Sequence, residues 1–83
     1  MRLNTMIYIK EMLEKEVERR KKSYKKAGDI LEEKEREAGV QWNTSDDRVD
    51  DNIKLYRNIK HTQREALTEA QAALEDFLSK EWN

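Results

Sequence analysis

The sequence predicts an all-α fold, an antiparallel helical hairpin of two long helices that dimerises into a four-helix bundle. Three observations carry that expectation. Apolar residues recur at spacings of three, four and seven along two separate stretches, the period of a helix and not of a strand. The stretch "GVQWNTS", Gly39 to Ser45, separates them. Charged residues make up 42% of the 83 positions and proline is absent, as in long helices with charged surfaces.

The first helix is expected over residues 5–38, with Asn4 or Thr5 as N-cap. Its apolar stripe is Met6, Leu13, Val17, Tyr24, Ala27, Leu31 and Ala38. At 1.5 Å per residue it is about 50 Å long. Gly39 stops it, because glycine tolerates the left-handed backbone of a C′ position. Gly28 and Asp29 could break it earlier, with Glu32 completing a capping box at Asp29, which gives a three-helix bundle as the alternative. The stripe passes through in phase, however, and one mid-helix glycine costs only about 1 kcal/mol. A continuous helix is the reading taken. The loop is placed at 39–45, with Thr44 or Ser45 as the second N-cap and Asp46 and Asp47 complementing the helix dipole. The second helix, about 46–81, carries Val49, Ile53, Tyr56, Ile59, Leu67, Ala70, Leu74, Phe77 and Leu78. The chain is thus one helical domain over 1–83. Ile59, Ala66 and Ala73 widen the second stripe beyond what one partner helix covers, which points to a homodimer.

Several classes are disfavoured by composition. Seventeen basic residues nearly balance eighteen acidic ones, so no net charge drives the chain to nucleic acid or to an anionic membrane. Cysteine is absent, which removes thiol chemistry. Lys10 and Glu11 interrupt "MRLNTMIYIKEML" too early for a signal-peptide core, and no apolar run reaches the roughly 20 residues of a membrane span. A soluble, cytoplasmic protein with no membrane partner is expected.

The charge is nonetheless patterned. With the turn centred near Trp42, residue i faces roughly residue 84 − i. Arg19, Arg20, Lys21, Lys22, Lys25 and Lys26 then lie beside Lys54, Arg57, Lys60 and Arg64, a basic waist free of acids between two acidic ends. Such a waist could bind phosphate with strong salt dependence. It lacks a helix-turn-helix, a zinc-finger spacing and interleaved aromatics beyond Tyr24, so complementarity to a protein surface is the preferred reading and nucleic acid the alternative. Arg20, Lys60 and Gln63 occupy seam positions that Leu and Val hold elsewhere, while apolar packing is expected at both ends of the rod.

No enzyme is expected. His61 has no Ser or Cys beside it as a nucleophile. Asn58 stands where a Glu-x-x-His metal pair needs its acid. Asp46, Asp47, Asp50 and Asp51 lack the glycine-bearing loop of an EF-hand, and the two glycines form no phosphate cradle. No cofactor or metal is implied.

Two local resemblances stand beside this reading. The helix–Trp42-Asn43-Thr44–helix order, with Phe77-Leu78-Ser79-Lys80-Glu81 near the end, resembles the small secreted WXG-type hairpins, although the motif glycine is missing. "VDDNIKLY", Val49 to Tyr56, resembles the Leu-Asp-x-x-Ile-x-x-Tyr segment of the short helical aspartyl-phosphate phosphatases. That resemblance implies a regulator acting on a phosphorylated response regulator, with Asp50 as the motif acid. Their preceding Ser-Gln-Glu is Asp46-Asp47-Arg48 here. The reading adopted is a non-enzymatic helical interaction protein (an adaptor, regulator or phage-type inhibitor). Trp42, Arg19, Lys22, Lys26, Arg57 and Arg64 are its candidate partner-binding residues. Trp42 itself is expected to plug the hairpin end against Val49 and Ile53, with an exposed anchor as the alternative.

Overall fold

The computed structural model describes residues 2–80, with side chains from 4 to 80. Two helices, α1 (Arg2–Ala38) and α2 (Asp51–Ser79), pack antiparallel into a rod of 56 × 17 × 15 Å. A 3₁₀ turn at Asp46–Arg48 lies in the connection. The hairpin expected from the periodicity is therefore present, and α1 runs unbroken through Gly28. A Cβ built on Gly28 would meet Lys60 Cε at 3.6 Å, an ordinary van der Waals contact. The glycine is a tolerated weak point of the helix and not its end.

The helix ends show how the chain is punctuated. Gly39 takes φ +68°, its N–H donates to Arg36 O at 3.1 Å, and the Val40 N–H donates to Glu35 O at 2.9 Å. This pair of bonds is a Schellman cap, satisfying two carbonyls that the last turn leaves free. The other expected boundaries move. α1 begins at Arg2, so Asn4 and Thr5 lie inside the helix and do not cap it. α2 begins at Asp51 and not near 46. Thr44 and Ser45 give way to Asp50, whose carboxylate accepts the Ile53 N–H at 2.9 Å. At its far end α2 stops at Ser79, where Lys80 turns extended; position 81 of the expected helix lies outside the described residues.

The reason for the later start is Val49. It sits between the 3₁₀ turn and Asp50 in an extended conformation (φ −115°, ψ 159°) and is buried against the hairpin. Had the helix continued back through 46, that side chain would have been held on the helical stripe and not folded over its end. The register follows suit. Lys60 lies over Gly28 and Tyr24, Arg57 reaches Glu35, and Lys34 sits over Tyr56. Lys60 meets Tyr24 where 84 − i placed it, but opposite Gly28, Lys34 and Glu35 the facing positions on α2 run four to eight residues further along, because the connection is longer than a 39–45 loop.

Among the described residues the buried apolar side chains are Val17, Ala27, Leu31, Val49 and Ile53, with Ile53 the deepest. Burying a side chain of this size contributes about 1.5–3 kcal/mol, so the core is small and lies mostly toward the loop. Met6, Leu13, Tyr24, Tyr56, Leu67, Leu74 and Phe77 of the expected stripes are half-buried, and Ala38, Ile59 and Leu78 are exposed. The packing expected at the open end, where the termini lie, is only partial. Ile7, Tyr8 and Met12 are exposed there together with Leu78. No helix of the described residues is long and apolar enough to cross a membrane.

Candidate functional site: a clamped tryptophan loop beside a cationic groove

The site is organised by a residue pair that periodicity alone does not flag. Glu35 follows Leu31 by four on the α1 stripe and is buried. Nearly two turns into α2, Arg57 points across the seam with its side chain 15% exposed. Its Nε and Nη2 both donate to Glu35 Oε2, at 3.2 and 2.8 Å. Nη1 donates to Asp46 Oδ1 at 2.7 Å and to the Thr44 carbonyl at 2.5 Å. Nη2 also donates to the Gln41 carbonyl at 3.2 Å. Five N–H groups in a fixed planar fork meet five acceptor contacts. Hydrogen bonds to Asp46 and Glu35 hold the guanidinium pKa above its already high ordinary value. One side chain thereby ties α1, the turn at Gln41–Thr44 and the 3₁₀ turn to α2.

Trp42 sits at the tip of this clamped turn. It is 84% exposed, so the expected plug against Val49 and Ile53 does not form. Val49 itself closes that end, and the left-handed turn at Gly39 brings Val40 partly inward while Trp42 projects out. The Thr44 N–H bonds the Gln41 carbonyl at 3.0 Å, closing a tight turn around the indole.

Trp42 borders a groove of about 440 Å³ that runs along one side of the hairpin, lined also by Tyr24, Leu31, Lys60, His61 and Arg64 and by Glu35, Asp46 and Arg57 of the clamp. Lys60 Nζ lies 5.9 Å from the Tyr24 ring centroid, a cation–π contact that places its charge on the groove. His61 Nε2 lies 2.8 Å from Glu65 on the surface. Among the described residues no carboxylate pairs with Lys60 or Arg64. The groove therefore presents an indole and two unpaired cations side by side.

The six sequence-derived residues separate in space. Trp42 and Arg64 share the groove. Arg57 lines it too, but its donors are turned inward on the clamp. Lys26 lies on the opposite broad face with Ser23, Ile30 and Gln63. Arg19 is bonded to Glu16 at 2.6 Å and stands about 28 Å up α1 from the loop end. Lys22 is exposed. The waist is also less bare than its window implied. Glu16 reaches Arg19 and Arg20, Glu18 reaches Lys21, and Asp51 reaches Lys54, all by helical i, i+3 or i, i+4 contacts from just outside the window. Asp50, the acid matched to the phosphatase motif, is occupied as the α2 cap.

Glu35 and Asp46 are the functional residues that sequence reasoning missed as a pair. A signal existed for the first: an acid in phase with Leu31 and Ala38 on an otherwise apolar stripe must find a cation across the seam. Among the described residues no group of three or more His, Cys, Asp or Glu could hold a metal ion. Comparison with protein-family models, with curated proteins and with solved structures gives no match to this chain.

Proposed function

We propose that this protein is a non-enzymatic interaction module that self-associates and acts by docking its tryptophan loop onto a partner protein. The observation that carries the reading is the contrast between Trp42 and its support. A large aromatic side chain stands 84% exposed on a turn held by a five-contact guanidinium clamp. Indole anchors in interfaces contribute disproportionately to binding, and a turn that is already ordered loses little entropy when it docks. Lys60 and Arg64 beside it suit a partner whose contacting segment is acidic.

The test is partner capture from the native host by the protein and by its Trp42→Ala variant. The variant should melt within about 0.5 kcal/mol of the parent, as exposed substitutions do, and lose the captured partner. Retained capture at unchanged stability ends the anchor reading.

A nucleic-acid reading draws on one further observation. Lys22, Lys25 and Lys26 form no ion pair among the described residues, which leaves a cationic strip on the outer side of α1. Gel-shift titration at two salt concentrations decides it. Micromolar binding that collapses with salt and vanishes when these lysines become glutamine favours nucleic acid over a protein partner.

A further inference from the structure

Unpaired cations, an aromatic ring and a concave surface coincide along the groove under Trp42. Lys22, Lys25 and Lys26 also lack ion pairs, but among the described residues no ring lies within cation–π reach of them. Lys60 differs. Its stem packs across α1 at Gly28, with Cε 3.6 Å from where a Cβ would stand, and its ammonium lies 5.9 Å from the Tyr24 ring centroid. The charge is thus held over the groove by a ring and not by a carboxylate. Arg64 follows one turn along the same face of α2 and is exposed.

The acids of this region are already engaged. Glu35 and Asp46 bond Arg57, and Glu65 meets His61 at 2.8 Å. Along the groove three cations face two carboxylates, an excess of one positive charge with His61 neutral. That excess is the complement of a single carboxylate. A run of acids or a chain of phosphates would extend past Arg64 and meet Glu65 and Glu69, which line the next cleft with it. Like charges there oppose such a ligand.

The geometry points to a short partner segment carrying one Asp or Glu beside one bulky apolar side chain as the occupant of this groove. The carboxylate lies between Lys60 and Arg64, and the apolar side chain between the Trp42 indole and Tyr24. The inference rests on the tryptophan-loop docking proposed above and names what that loop reads. Arg57 holds the Gln41 and Thr44 carbonyls, so the indole turn stands level with position 57. The midpoint of 60 and 64 is about 7 Å further along α2. An extended chain sets residues two apart on one face at about that distance, so the acid is two residues from the apolar anchor. Two turns of a helix about 10 Å across would fill roughly twice the groove's volume of about 440 Å³, which favours the extended segment.

Selection of a random twelve-residue peptide library, displayed on phage, against the immobilised full chain tests this. Enriched peptides should carry one Asp or Glu two residues from a Leu, Ile, Phe or Trp. A synthesised winner, capped at both ends so that its side chain supplies the only carboxylate, should change the emission of Trp42 in the Trp82→Phe protein, where Trp42 is the sole tryptophan. Lys60→Gln with Arg64→Gln should weaken that peptide about tenfold. Lys60→Glu with Arg64→Glu should turn the selection toward peptides bearing Lys or Arg. If circular dichroism shows that a double variant loses helicity, Arg64→Glu alone, at an exposed position, makes the same test. Enriched peptides that need Trp42 but carry no acid, or that ignore the charge at 60 and 64, overturn this inference and leave the tryptophan anchor standing. A selection that enriches nothing, or only peptides that bind Trp42→Ala equally well, overturns both. Displacement of the peptide by a micromolar single-stranded oligonucleotide assigns the groove to nucleic acid and overturns the inference.

Discussion

The two ends of the rod contain comparable apolar side chains on the same two helices, yet they are built differently. At the loop end Leu31, Val49 and Ile53 are buried and Glu35 meets Arg57 in a nearly dry pair. At the open end Ile7, Tyr8, Met12 and Leu78 face outward, and Leu13 and Leu74 are only half-covered. The difference is a third wall. The connection folds Val49 and the 3₁₀ turn over the seam, whereas two bare helices leave much of each apolar stripe in water. Stability should therefore be concentrated toward the loop.

The largest effect that would break this contrast is at Arg57. Arg57→Ala leaves Glu35 buried without its cation and frees two loop carbonyls. Removing one partner of such a pair costs about 3–5 kcal/mol, a large share of the stability of a domain this small. Thermal denaturation followed by circular dichroism should show a steep loss. Exchanging the pair for apolar residues, with Glu35→Leu and Arg57→Met together, should recover much of it. A parent-like melt for Arg57→Ala would show that the clamp is not what holds the loop.

A matched pair of truncations comes next. Leu31→Ala removes a side chain that is 6% exposed and should cost about 2–3 kcal/mol. Leu13→Ala, half-covered at the other end, should cost less than half as much in dilute, monomeric protein. Its penalty should grow with protein concentration if a second copy covers that end. Equal costs under dilute conditions would erase the contrast between the ends.

Between the ends, Gly28→Ala should be stabilising. The new methyl meets Lys60 Cε at 3.6 Å without a clash, and alanine exceeds glycine by about 1 kcal/mol in a helix interior. Chemical denaturation should show a higher midpoint with an unchanged slope. A loss of stability would mean that the helix needs the glycine for a bend.

The smallest effect is at Glu16, in the waist. The hydrogen bond from Arg19 holds its carboxyl below the ordinary value, with Arg20 adding to the same direction. A lowered folded-state pKa means that its contribution is complete above the unfolded value of about 4.3 and lost as the pH falls through the lowered one. The pair is solvent-screened, so it should be visible in a carboxyl NMR titration and barely in the melting temperature. A Glu16 titration at or above the ordinary value would dissolve the pair.

The parts of the fold legible beforehand are those fixed by local chemistry. Unbroken periodicity through Tyr24, Ala27 and Leu31 outweighed Gly28. Gly39 stopped α1 because a left-handed residue was needed there. The start of α2 was misplaced because Thr44, Ser45, Asp46, Asp47 and Asp50 are all competent caps. Propensity cannot rank them when burial of Val49 decides. Trp42 stands exposed where a plug is expected for the same reason, since an indole beside a glycine turn can face either way.

By itself the sequence determined two long helices, their shared apolar faces and the glycine that ends the first, because these follow from spacing and backbone preference within a few residues. The tertiary structure decided the register, the extended Val49 that closes the hairpin and the exposure of Trp42. It also turned Arg57 from a surface cation into the clamp of the loop. That clamp depends on Glu35 and Asp46 reaching one guanidinium from positions 22 and 11 residues away along the chain. A buried carboxylate makes that choice energetically decisive, because it must be paired wherever the chain can bring a cation to it.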